Sequence, residues 1–139
     1  LAGALAMRIL IVDDERAALA SLTKMLEPLG EVVATESGQE SLDAFARALA
    51  EGKPFNLVSM DIVMPGLDGQ ATLQAMRDLE KRHAVPPGQE AKVMMVTGLG
   101  DAGNVTRAFF KGQADGYITK PLQKAALLKT LRGMGIAIG

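Results

Sequence analysis

Acids, a threonine and a lysine stand directly behind short apolar runs in this chain. Asp13, Asp14 and Glu15 follow Ile9-Leu10-Ile11-Val12, and Asp61 follows Leu57-Val58-Ser59-Met60. Thr97 follows Val93-Met94-Met95-Val96, and Lys120 follows Tyr117-Ile118-Thr119. If those runs are neighbouring strands, Asp13, Asp14 and Asp61 converge on one edge of a sheet. Two unit charges 4 Å apart at an effective dielectric near 20 repel by about 4 kcal/mol. Such a cluster persists only if it is protonated or holds a cation. Oxygen ligands without His or Cys favour a hard ion, Mg²⁺ or Mn²⁺. Lys120 adds a point cation and Thr97 a hydroxyl donor. A carboxylate in that company suits a transferring phosphoryl group and can itself be the nucleophile, giving an aspartyl phosphate.

Composition narrows the alternatives. The chain has no cysteine and one histidine, which excludes thiol catalysis, disulfide scaffolds and multi-His metal sites. Its 15 basic and 16 acidic residues leave no global basic field for nucleic acid. No apolar run approaches the ~20 residues needed to span a bilayer. At 139 residues it has the length of one domain.

The elements that must position these residues follow from periodicity. The four runs above, with Val32-Val33-Ala34, read as five strands, most of them continuous as expected for burial on both faces. Between them lie helical patterns: Leu19, Leu22, Leu26; Leu42, Phe45, Ala46, Leu49; Leu73, Met76; Val105, Ala108, Phe109; and Leu127, Leu131, Met134. Pro28 and Gly30 close the first helix, Ser37-Gly38 opens the second, Gly112 stops the fourth and Pro121 starts the fifth. The order is βα repeated five times, an α/β fold with a doubly wound, five-stranded parallel sheet. In such sheets ligands bind beyond the carboxyl ends of the strands, where the polar residues sit. The second strand ends less informatively, in Thr35-Glu36. Ala84 to Ala91, with two prolines and a glycine, forms a long surface loop.

Single features have plainer readings. An Asp-Asp pair alone suits a helix N-terminus; Asp61 and Lys120 at matching strand ends argue for a site. His83 reads as solvated beside the loop, in the polar stretch Glu80-Lys81-Arg82. Met94 and Met95 read as core filler. Residues 1–6, small and apolar, read as an N-terminal extension, either a remnant ahead of a natural start at Met7 or the end of an upstream piece.

Four motifs resemble one family. Ile11-Val12-Asp13-Asp14-Glu15, the run from Met60-Asp61 through Pro65 to Gly69, Val96-Thr97-Gly98 and Gly116-Tyr117-Ile118-Thr119-Lys120-Pro121 are similar to the receiver domain of two-component response regulators. The resemblance covers nearly the whole chain from Met7 on, 7–139. It implies a flavodoxin-like sheet in the order 2-1-3-4-5. It implies that Asp61 accepts a phosphoryl group from a partner phosphohistidine. Asp14 and Asp61 would coordinate Mg²⁺ directly with the backbone carbonyl of Val63, and Asp13 mainly through water; Mn²⁺ would substitute. Thr97, Lys120 and Gly98 would bind the phosphoryl group, with Gly98 leaving the site open to a donor. Thr97 and Tyr117 would form a switch that re-sorts the outer surface of the fourth helix, fifth strand and fifth helix. The Lys120-Pro121 peptide bond would be cis.

The resemblance further implies a cytoplasmic regulator rather than an enzyme. Its partners would be a sensor histidine kinase or phosphotransfer protein and a downstream effector protein, with no nucleic acid and no membrane. Phosphorylation-dependent homodimerisation is left open. The ending Leu128 to Ala137 resembles the closing helix and tail of stand-alone receivers; a domain from a larger regulator or hybrid kinase is the alternative. A Mg²⁺-dependent phosphohydrolase with an Asp61 nucleophile would need a second acid where Val63 stands and commonly a cap domain. A receiver that never takes phosphate would not keep all five site positions filled. Val63 and Leu99 are apolar where receivers often carry polar groups that place the hydrolytic water, which predicts slow self-dephosphorylation.

Overall fold

The computed structural model describes residues 7–64, 66–98 and 114–138. Five strands form one parallel sheet: β1 (Met7–Val12), β2 (Gly30–Thr35), β3 (Leu57–Asp61), β4 (Lys92–Thr97) and β5 (Gly116–Thr119). The order is β2-β1-β3-β4-β5. Four helices are described: α1 (Arg16–Leu26), α2 (Gly38–Ala50), α3 (Gly69–Arg82) and α4 (Lys124–Gly133). The helix expected at Val105–Phe109, and its stop at Gly112, lie outside the described residues. The helix expected as fifth is therefore α4 here.

Side chains alternate along each strand and feed two cores. Leu10, Val12, Val58, Met60, Val93 and Met95 point to one face, where Phe45 and Ala48 of α2 and Leu73 and Met76 of α3 cover them. Ile9, Ile11, Leu57, Met94, Val96 and Ile118 point to the other, under Leu19, Leu22 and Leu26 of α1 and Leu127 and Leu131 of α4. Only the central strands β1, β3 and β4 are nearly continuously buried. The edge strands β2 and β5 are half-exposed because each has a neighbour on one side only.

Three local expectations shift. On α2 the buried stripe runs through Ser41, Phe45 and Ala48, while Leu42 and Leu49 stay partly covered, because the helix leans towards α3. Pro121 does not open the last helix. It follows a cis peptide bond with Lys120, and α4 begins at Lys124 after an extended Gln123. Third, Glu80 is not a solvated member of a polar stretch but is buried on α3.

Glu80 is buried because it is fully paired. Its Oε1 accepts from Arg77 at 2.8 Å and its Oε2 from the backbone N–H of Ala91 at 2.7 Å. Arg77 also donates to the Ala91 carbonyl at 2.8 Å and to Asp115 at 3.2 Å. The same Asp115 oxygen accepts from Val93 N–H at 2.8 Å. This network ties α3 to the starts of β4 and β5 and clamps the root of the Pro86-Pro87 loop. His83 is exposed at the end of α3, with Nδ1 3.0 Å from the Leu79 carbonyl. No described helix is long and apolar enough to cross a membrane.

Candidate functional site

The sheet register decides which side chains meet. Met60 lies between Val12 of β1 and Met95 of β4, so Asp13 and Asp61 leave their strands at one level. Asp61 pairs with Val96, which puts Thr97 one step beyond it; Thr97 pairs with Thr119, which puts Lys120 one step further. Carboxylate oxygens of Asp13, Asp14 and Asp61 all lie within 4.8 Å of one another. Asp14, Glu15, Asp61, Val63, Gly98 and Lys120 line an open cleft of about 310 Å³. Thr97 is buried and its carbonyl accepts from the Lys120 N–H at 2.7 Å. Tyr117 is half-exposed on β5. Pro65 and Leu99 lie outside the described residues.

Each acid is held by its own backbone logic. Asp13 is fully buried: its N–H donates to the Thr35 carbonyl at 3.1 Å, and its Oδ1 accepts from the Glu15 N–H at 2.9 Å. Thr35 is buried and donates its hydroxyl to the Ile11 carbonyl at 2.8 Å, locking the end of β2 onto β1. Beyond Asp61, Ile62 N–H reaches the Val96 carbonyl and Gly69 N–H reaches the Ile62 carbonyl, both at 3.0 Å. Helix α3 thus starts against the strand that carries Asp61, with Asp68 capping Ala71 N–H at 2.8 Å. Only glycine fits at 69: a Cβ there would lie 2.2 Å from the Asp61 carbonyl oxygen.

One lysine answers the acids. The Lys120 ammonium lies 2.6 Å from Glu15 Oε1, 3.2 Å from Asp13 Oδ2 and 3.8 Å from Asp61 Oδ2. Burial, then the charge of Asp13, pushes the Asp61 carboxyl up to about 7, against the pull of Lys120 and the Val63 N–H. Burial works to lower Lys120, but the Glu15 hydrogen bond and the charges of Asp61 and Asp13 outweigh it and push it up to about 12. The hydrogen bond and charge of Lys120 hold Glu15 below the usual carboxylate range.

The donor set suits a hard divalent cation. Asp13 Oδ2 is buried without a hydrogen-bond partner, at the centre of an all-oxygen cluster. Among the described residues the Lys120 ammonium, at 3.2 Å, is the one charge that meets this oxygen, and it leaves the three acids with surplus negative charge that a cation would offset. Oxygen-only ligands select Mg²⁺-like ions. Strand-end reasoning names Thr35 and Glu15 but gives them no role; the structure makes Thr35 a lock of β2 onto β1 and Glu15 a partner of Lys120. Thr35 ends β2 level with Val12, one step short of Asp13.

A family model, the response regulator receiver domain, matches residues 9–132. The chain belongs to this family. The receiver is 39% identical over 129 residues to protein PilH of Pseudomonas aeruginosa, covering 91% of this chain and 96% of PilH. It is 35% identical over 136 residues to the sensor histidine kinase GacS of Pseudomonas protegens, covering 96% of this chain but 14% of GacS. Among solved structures, the receiver domain of the Arabidopsis thaliana histidine kinase CKI1, complexed with Mg²⁺ and BeF₃⁻, matches with a TM-score of 0.79 at 26% identity, covering 96% of this chain and 93% of that one. The receiver is accordingly a module of two-component signalling.

Proposed function

We propose that this receiver takes a phosphoryl group on Asp61 from a phosphohistidine of a sensor histidine kinase or phosphotransfer protein. The observation that carries the reading is Asp61 itself, a buried carboxylate at the floor of an open cleft, beside two further acids and a lysine. A carboxylate oxygen of Asp61 forms the new P–O bond while the P–N bond to the imidazole breaks and its electron pair returns to nitrogen. Asp13, Asp14, Asp61 and the Val63 carbonyl are the groups that would hold Mg²⁺. When bound, that ion offsets charge on the phosphoryl oxygens. Lys120 pairs with one of those oxygens and the Thr97 hydroxyl with another, with Gly98 beside them leaving room for the donor.

The added charge of about −1.5 to −2 draws Thr97 towards the new acceptors. Tyr117 then turns into the space Thr97 leaves, and the surface around β5 and α4 changes between two states that an effector protein reads. Val63, exposed at the cleft mouth, stands where a phosphohydrolase would carry its second acid, so turnover is limited to slow self-dephosphorylation. The test is incubation with acetyl phosphate and Mg²⁺ followed by intact mass. One phosphate adduct is expected in the wild type and none in Asp61→Ala; a wild type without adduct in any divalent ion overturns the reading.

A further inference from the structure

Glu15 occupies the N-cap of α1 in extended conformation, yet its side chain makes no capping bond and α1 has no acid in its first turn. N-cap side chains ordinarily accept from the first turn's free N–H groups. Here the carboxylate is turned to Lys120 instead, and the contact at 2.6 Å is the shortest that Lys120 makes with an acid. Its partners differ in one respect that matters. Glu15 is 64% exposed, whereas Asp13 and Asp61 are buried. Glu15 can therefore release the ammonium and rehydrate at little cost, as exposed pairs are weak. The lysine is held by the acid that is easiest to leave.

We propose that Glu15 is a positioning residue that draws the Lys120 ammonium away from Asp61 in the unphosphorylated receiver, leaving the Asp14 and Asp61 carboxylates open to a divalent cation. Without Glu15, the ammonium, already 3.2 Å from Asp13, closes on Asp61 as well, and an incoming cation must displace it. The inference rests on the phosphoacceptor reading of this cleft.

The test is a double-mutant cycle read by Mg²⁺ titration of the full chain at 0.15 M salt, where exposed charges beyond about 8 Å are screened. Glu15→Gln should weaken Mg²⁺ binding roughly two- to fivefold. Lys120→Gln should tighten it, and in that background Glu15→Gln should have less than half of its wild-type effect. An equal fold-change in both backgrounds, or none in the wild type, overturns the proposal while leaving the acceptor reading intact. A wild type that binds no Mg²⁺ sinks the acceptor reading and this proposal with it. Acetyl phosphate labelling of the wild type at saturating Mg²⁺ separates the two cases, because an adduct on Asp61 reports the acceptor whether or not Glu15 alters Mg²⁺ affinity.

Discussion

The two ends of the sheet each bury an ionic cluster, and they are built on opposite rules. At the amino end, Arg77 faces Glu80 and Asp115, and both Glu80 oxygens and the shared Asp115 oxygen accept hydrogen bonds. At the carboxyl end, among the described residues, Lys120 alone faces Asp13, Glu15 and Asp61, with Asp14 beside them, and one Asp13 oxygen meets nothing but that shared ammonium. The first cluster is closed and acts as a clamp. The second carries surplus negative charge and stays open in a cleft. A satisfied buried network specifies structure, while an unsatisfied one is a place where something else can bind.

The sharpest way to break this contrast is to open the clamp. Arg77→Met leaves Glu80 and Asp115 without their cation, and we expect a loss of about 3–5 kcal/mol in urea unfolding. A loss below 1 kcal/mol would mean that the amino-end network is not a clamp. Relieving the other cluster should have the opposite sign. The folded pKa of Asp61, about 7, lies above its reference of 3.8, so its contribution to stability is complete below pH 4 and is lost as pH rises through 7. Asp61→Asn should therefore stabilise the metal-free protein by ~2–4 kcal/mol at pH 8 and by much less at pH 5. Equal effects at both pH values would contradict it.

A third expectation concerns kinetics at the open end. The double variant Val63→Asn, Leu99→Glu should lose its phosphoryl group about tenfold faster than the wild type, a barrier change near 1.4 kcal/mol. Decay of the phosphorylated wild type that is as fast as the variant's would refute it. The smallest effect is expected between the two ends. The Ser59 hydroxyl is buried on β3 without a hydrogen-bond partner. Ser59→Ala should raise stability by up to about 1 kcal/mol, or leave it unchanged. Clear destabilisation would mean that the hydroxyl has a partner after all.

Much of the carboxyl end is legible in sequence because strand ends mark it. Apolar runs locate the strands, and the residues just after them, Asp13, Asp61, Thr97 and Lys120, fall into register without further information. The amino-end clamp is harder to read. Arg77 and Glu80 lie one and four residues beyond Met76 in a helix whose charges look solvated, and their partner Asp115 is far along the chain. A signal was present: Leu73, Met76, Arg77 and Glu80 follow the i, i+3, i+4, i+7 spacing of a single buried stripe. Charges on such a stripe need partners, but sequence spacing does not supply the partner. Glu15 is illegible for a different reason. Its side chain chooses between capping α1 and meeting Lys120, and only the three-dimensional placement of residue 120 decides.

The order of the site residues along the chain has a consequence for synthesis. The three aspartates are all present once residue 61 has been made, but the lysine that offsets them comes only at position 120. A nascent or truncated chain ending before β5 therefore has strands able to pair while their acidic ends lack that counterion. Repulsion at those ends works against the partial sheet at neutral pH, and the last strand brings both an edge and the charge that lessens it.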